Sequence, residues 1–256
     1  MARIFITGSS DGLGVLTARR LISQGHTVVL HARNAQRASD ASSAVLGAAG
    51  VLVADLTSSQ ETLRLGAEAD SKFGPFDAVI HNAGLYLGQE RVPGKDGRPS
   101  LFQVNVLAPY ILTATMQKPK RLVFVSSGLH RSGRPRLGKG QEGKLVGSGY
   151  SDSKLHDVML ANAFARRWKG TVECNSLDPG WVRTKMGGAG ATDDIEKAVD
   201  TYVTLALGEG EAKGKTGRYF RDSKVATPAR DALDEGLQDR LLEELGKISG
   251  VALPAE

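Results

Sequence analysis

The chain of 256 residues contains one cysteine, Cys174, so it cannot form an internal disulfide. That usage fits a reducing cytoplasm, and Cys174, within TVECNSL (171–177), reads as a buried strand thiol. Aromatic residues are only 5% of the chain and are not interleaved with its Lys and Arg, which are scattered. A net charge of +5 therefore points to a solvated surface that helps attract an anionic cofactor, and no nucleic-acid partner is expected. Apolar runs are strand-sized and none is long enough to cross a bilayer. The opening residues MARIFITGSS carry no signal-peptide pattern, so a soluble cytoplasmic protein without membrane contact is expected. No His, Cys or Asp cluster has metal-ligand spacing, so no metal is expected. No repeat appears at solenoid periods.

What is present is an alternation. Apolar residues make up 41% and charged residues 24%, as in an ordinary globular protein. Short apolar runs at 3–7, 27–31, 51–55, 77–81, 121–126 and 172–177 read as strands, with 218–220 a possible seventh. Between them, helical spacing marks 13–24, 34–46, 58–73, 100–117, 150–168 and 194–207, and 231–247 reads as a final surface helix. Pro109 should bend the helix over 100–117 or mark its start. Runs buried on both faces and alternating with helices imply right-handed βαβ units. The expected fold is α/β: a single-domain, Rossmann-type, doubly wound parallel sheet of about seven strands flanked by helices. Residues 1–256 form one domain, with a cofactor half over about 1–120 and a catalytic and substrate half over about 121–256. The segments 128–149 and 185–193 read as mobile surface loops beside the site.

TGSSDGLG (7–14) follows the first strand and opens the first helix. Gly8, Gly12 and Gly14 would let the backbone approach a pyrophosphate, with Ser10 and Leu13 in the same loop, and the helix N-terminus offers free N–H groups. The second strand ends in His31-Ala32-Arg33-Asn34, with no acid to take ribose hydroxyls. Arg33 is suited to stack on adenine and pair with a 2′-phosphate, so NADP is favoured over NAD. Asp11 stands inside the loop, where a basic residue would strengthen that preference.

In YSDSK (150–154), Tyr150 and Lys154 lie four apart on one helix face. A free tyrosine titrates near 10 and is a poor acid or base at neutral pH. A nearby ammonium favours the phenolate, so Lys154 should lower the Tyr150 pKa. Tyr150 could then exchange a proton with a carbonyl or alcohol oxygen.

The TGxxxGxG spacing, the YxxxK pair and their placement at strand ends resemble the short-chain dehydrogenase/reductase family over about residues 3–184, with TGRYF (216–220) a further echo. The resemblance implies several roles. Asp55 with Leu56 contacts adenine, the alternative for Asp55 being a helix cap. Asn82, Ala83 and Gly84 line the cofactor. Ser127, the second of two serines ending the fifth strand, orients the substrate oxygen. Asn105 holds a water in a relay to Lys154. Pro179, Gly180, Val182 and Thr184 bind the nicotinamide carboxamide, while the preceding Asp178 has no assigned role. Lys154 also binds the nicotinamide ribose. The family further implies an NADP-dependent hydride transfer on a carbonyl or alcohol substrate, and a homodimer or homotetramer. A different class, a non-catalytic dinucleotide-binding sensor or scaffold, is the alternative. His130 and Arg131, in the long gap between Ser127 and Tyr150, are candidate substrate contacts if that loop turns inward and solvated otherwise. His156 points away from the Tyr150 and Lys154 face and reads as structural.

Overall fold

The computed structural model describes residues 1–138, 140–141 and 143–253. Lys139 and Glu142 of the predicted loop and residues 254–256 lie outside the described residues. Among the described residues seven parallel strands build the sheet: β1 (Arg3–Ile6), β2 (Thr27–Ala32), β3 (Gly50–Val53), β4 (Ala78–His81), β5 (Arg121–Val125), β6 (Glu173–Asp178) and β7 (Arg218–Arg221). An eighth, β8 (Lys224–Ala226), turns back antiparallel on β7 through Asp222 and Ser223, both with left-handed φ. The sequence expectation of about seven strands missed it. KVA is too short and too exposed to carry an alternating pattern, and only its pairing with β7 makes it a strand. The order β3-β2-β1-β4-β5-β6-β7-β8 puts the reversal of winding between β1 and β4, where a cleft opens beyond the strand C-termini.

Continuous apolar strands are explained by burial on both faces. In β1, Phe5 faces one core while Ile4 and Ile6 face the other, and all three are fully buried. One face is covered by α1 (Gly12–Ser23), α2 (Ala35–Ala44) and α7 (Ile195–Leu207). The other is covered by α3 (Ser59–Phe73), a helical run over 100–115, α6 (Tyr150–Arg167) and α8 (Glu235–Ser249). Asn34, Ser58, Asp194 and Asp234 each accept a backbone N–H as helix N-caps, which sets these starts.

The run over 100–115 is not one regular helix. It passes through α4 (Ser100–Phe102) and a π-helical turn (Gln103–Leu107), then continues as α5 (Ala108–Thr115) with Pro109 in its first turn. Proline has no N–H to give, so the helix resets at its start rather than bending through it. The π turn carries Asn105 inward, fully buried. The final helix is more than a surface element. Leu241, Leu242 and Leu245 bury one face of α8 in the core it shares with α5 and α6, and the Tyr110 hydroxyl of α5 donates to the Val251 carbonyl at 2.9 Å.

Candidate active site

A cleft of about 740 Å³ lies at the switch point. Its floor is the loop between β1 and α1. Gly8 has φ +61°, and a Cβ there would sit 2.6 Å from the Ala83 Cα. A Cβ at Gly14 would sit 2.8 Å from the Asn82 amide nitrogen and from the Gly8 carbonyl oxygen. These positions admit only glycine, and the loop and the Asn82-Ala83-Gly84 segment are pressed together because of it. Thr7 Oγ1 accepts the N–H groups of Asn82 and Ala83, each at 3.0 Å, and the Asn82 amide donates to the carbonyls of Thr7 and Gly8. The Tyr202 hydroxyl, from α7, donates to Asn82 Oδ1 at 3.0 Å.

His31 closes the back of the loop. Its Nδ1 accepts the Gly8 N–H at 2.9 Å, so its Nε2–H donates to the Ala54 carbonyl, also at 2.9 Å. Burial holds it neutral, with its pKa lowered to about 4. Asp11, at the N-cap of α1, makes no side-chain cap bond, so α1 starts uncapped beside the cleft. Gly8, Ser10, Gly12, Leu13 and Gly14 all line the cleft. This cradle of close-set backbone and an uncapped helix start fits a pyrophosphate.

At the adenine end, Arg33 is exposed and lines the cleft. So does Arg37, which was not expected from the sequence: it lies inside α2, past the end of β2. Arg37 pairs with Asp11 and Asp40 and donates to the Ser10 carbonyl. Lys185 stands 3.7 Å from the same Asp11 carboxylate. The acid that looked unfavourable for an anionic ligand is therefore matched by two cations. Asp55 and Leu56 line the cleft as well. Asp55 accepts from the Thr57 N–H and hydroxyl, while Ser58 takes the cap of α3, so Asp55 is not the helix cap. Lys95 reaches to 3.6 Å from Asp55.

The other wall carries the ionisable groups. Tyr150 is the first residue of α6, at 8% exposure, and its phenol stands near enough to the Ser127 hydroxyl for that group to act on it. Ser126 is spent elsewhere, donating to the Lys154 carbonyl at 2.7 Å. Burial pushes the Tyr150 phenol up, and the Lys154 charge and the Ser127 hydroxyl pull down without overcoming it. The sequence expectation named the sign of the Lys154 effect but not the larger desolvation that tertiary packing imposes. Tyr86 meets the Tyr150 ring edge-on, with centroids 4.6 Å apart.

Lys154 Nζ lies 5.7 Å from the Tyr150 ring centre and donates to the Val125 carbonyl and to Asp157, each at 2.8 Å. Burial alone would lower the lysine pKa, but Asp157 and Tyr150 together raise it. Asn105 sits beside this group. Its Oδ1 accepts the Leu85 N–H, and its amide donates to the Leu85 carbonyl and the Ser153 hydroxyl. The Asn105 Oδ1 and Lys154 Nζ each lie 3.7 Å from where a Gly84 Cβ would be.

The segment after β6 forms the remaining edge. Pro179 and Thr184 line the cleft, whereas Val182 is buried in a bridge to Asp193. Asp178, without a role in the sequence reading, shapes this segment: its carboxylate accepts the Gly180 N–H and pairs with Arg221 at 3.0 Å. Asp193 accepts from Trp181 and Arg221, tying the far end of the same segment.

In both segments predicted to be mobile, described residues make anchoring hydrogen bonds. His130 is fully buried: its Nδ1–H donates to the Ser127 carbonyl and its Nε2 accepts the Ala229 N–H. It neither faces substrate nor solvent, but braces the Ser127 turn against the C-terminal segment. Arg131 donates to the Thr227 carbonyl over the Tyr219 ring. His156 is buried and donates to the Pro135 carbonyl, a structural role. Asp152 binds the Arg134 N–H and the Arg136 side chain. In the second segment, Thr184 Oγ1 accepts the Gly187 N–H, and Arg183 donates to the Ala191 carbonyl. Among the described residues no His, Cys, Asp or Glu group could hold a metal, and no helix is long and apolar enough to cross a membrane.

The family model for short chain dehydrogenases matches residues 2–194. The short-chain dehydrogenase chyC of Penicillium rubens is 45% identical over 262 residues, covering all of both chains. An oxidoreductase of Emericella nidulans, AN7799, is 47% identical over 99% of each chain. A structure described as a short chain dehydrogenase from Shigella flexneri, complexed with NADP, superposes with a TM-score of 0.65 at 27% identity, covering 87% of this chain and 97% of that one. The chain belongs to the short-chain dehydrogenase/reductase family of oxidoreductases.

Proposed function

We propose that the protein moves a hydride between NADP(H) and a carbonyl/alcohol pair, with Ser127, Tyr150 and Lys154 handling the substrate oxygen and its proton. The observation that carries this reading is the Tyr150 phenol, set beside a buried ammonium and the Ser127 hydroxyl, lining a cleft floored by the glycine loop. NADPH, when bound, supplies the hydride. The glycine loop and α1 start would hold its pyrophosphate. Arg33 and Arg37 would take its 2′-phosphate, in line with the NADP held by the Shigella flexneri neighbour. Asp55, Leu56 and Asn82 to Gly84 would line the adenosine and ribose, and Pro179, Gly180, Val182 and Thr184 the nicotinamide side.

Tyr150 acts as a general acid towards a carbonyl oxygen and as a base in the reverse direction. Its phenol is held protonated by burial, the state that carbonyl reduction requires. Ser127 orients the oxygen, and Lys154 stabilises negative charge on the phenol. Asn105 braces Leu85 and the Ser153 hydroxyl beside Lys154, where a proton relay would pass. The N-terminal half holds cofactor and the half after about residue 120 does the chemistry. The homodimer or homotetramer implied by the family belongs to the same reading, with α8 packed on α6 and touching α5.

Tyr150→Phe tests the reading. It should lower kcat for carbonyl reduction by about 10²–10⁴-fold while NADPH binding, followed by fluorescence, stays close to wild type. Near wild-type turnover in this variant would sink the mechanism.

A further inference from the structure

The Lys154 ammonium has three protons, and the fold claims two of them. One goes to the Val125 carbonyl at the end of β5 and one to the Asp157 carboxylate, both at 2.8 Å. Asp157 lies one helical turn beyond Lys154 on α6, and the side chains are 3% and 7% exposed. An unpaired ammonium so buried sheds its charge readily, because the neutral amine needs no solvation. A carboxylate as its counter-ion reverses that tendency and also fixes where the nitrogen stands. The pair is coupled to the phenol: Lys154 favours the Tyr150 phenolate, whereas Asp157 disfavours it.

Building on the function proposed above, we propose that Asp157 is a positioning residue, whose carboxylate holds the Lys154 ammonium charged and clamped against Val125 so that its third N–H serves the cleft. The other titratable groups facing this cluster are Tyr86 from the loop after β4 and Tyr202 from α7. From β6, Asp178 acts on Tyr202 and is itself bound to Arg221. The π turn contributes only the neutral Asn105 amide, and Lys154 is the charge that acts on Asp157. Burial pushes the Asp157 carboxyl up to about 6 against the pull of Lys154, so the pair is ionised at neutral pH.

Removing the negative charge makes the first proton lost by the coupled Tyr150 and Lys154 pair easier to lose, whichever group releases it. Carbonyl reduction needs both protons in place, so the alkaline limb of its pH profile must move to lower pH. Asp157→Asn keeps the size and a hydrogen-bonding oxygen. It should shift the alkaline limb of kcat/KM down by about one unit or more, with NADPH binding retained. Asp157→Glu should recover most of that shift.

A second measurement needs neither turnover nor a folded variant at position 157. Nitrogen-15 NMR of wild-type lysine ammonium groups, with Lys154→Met as the assignment blank, should show Lys154 staying protonated beyond the ordinary lysine range. An unmoved alkaline limb in folded Asp157→Asn would overturn the proposal. So would a wild-type Lys154 that loses its proton below the ordinary lysine value. If the wild type turns over no carbonyl at all, the reductase reading fails, while the ammonium titration still decides what Asp157 does.

Discussion

At the β1–α1 end of the cleft the close-packed contacts are neutral, with charge confined to Arg33 and the Asp11 pairs with Arg37 and Lys185: Gly8 presses on Ala83, Thr7 holds two backbone N–H groups, and His31 accepts from Gly8 as an uncharged ring. At the β5–α6 end Tyr150 and Lys154 line the wall and Asp157 stands behind Lys154, all of them ionisable and all buried. The first wall has to match a shape, so it is sensitive to single atoms. The second has to tune a proton, so it is sensitive to single charges. Each can be broken by a perturbation that leaves the other largely alone.

Acid is the largest perturbation, and it acts on the whole fold as well as on the first wall. His31 and His156 have pKa values lowered to about 4 and His81 to about 3, all by burial. Below 6.5 the unfolded chain binds protons that the folded chain refuses, so stability is complete above that value and is lost as pH falls towards 4. The loss is roughly 2 kcal/mol for each buried histidine by pH 5. Asp157, raised to about 6, works in the opposite direction over part of this window. Thermal melts from pH 7 to 4.5 should show a steep fall in Tm, and His81→Gln should flatten it. A flat Tm would mean that these rings are not buried neutral.

Gly8→Ala comes next. The left-handed φ and the 2.6 Å approach to Ala83 both oppose a Cβ. The expected cost is roughly 3 kcal/mol, lowering Tm by about 6–12 °C, with NADPH binding lost. Because nothing charged changes, the pH profile of any residual turnover should stay in place. Thr7→Val removes the acceptor for two backbone N–H groups and should cost about 2 kcal/mol by denaturant unfolding. Smaller still is Arg33→Ala, which should weaken NADPH binding about tenfold, roughly 1.4 kcal/mol, and leave NADH unchanged. If Arg37→Ala has the larger effect instead, the 2′-phosphate belongs to the residue that Asp11 holds in place.

Most of the sheet was readable from the chain because strands buried on both faces carry unbroken apolar runs, as in RIFI and AVIH. Helix starts were readable where Asn34 and Ser58 supply a capping oxygen. The π turn around Asn105 was not, since it follows from packing ahead of Pro109 rather than from periodicity. At the site, the pairing of Tyr150 with Lys154 was visible as a four-residue spacing. Asp157 carries a spacing signal of the same kind, three residues beyond Lys154, but a surface partner of the lysine looks the same in sequence. Arg37, His31 and Tyr202 became site residues only when distant elements met. The loop after Ser127 reads as solvated from its Gly, Arg and Lys content, yet His130 and Asp152 tie it down through partners 99 and 18 residues away.

The sequence by itself determined the parallel α/β architecture, the glycine loop at the first strand end and the presence of Tyr150 and Lys154 on one helix face, because each depends on residues close together in the chain. The tertiary structure alone decided the electrostatics. Whether Tyr150 is raised or lowered, whether Asp11 repels or is neutralised, and whether Lys154 stays charged all depend on which groups folding brings within a few ångströms and how far it removes them from water.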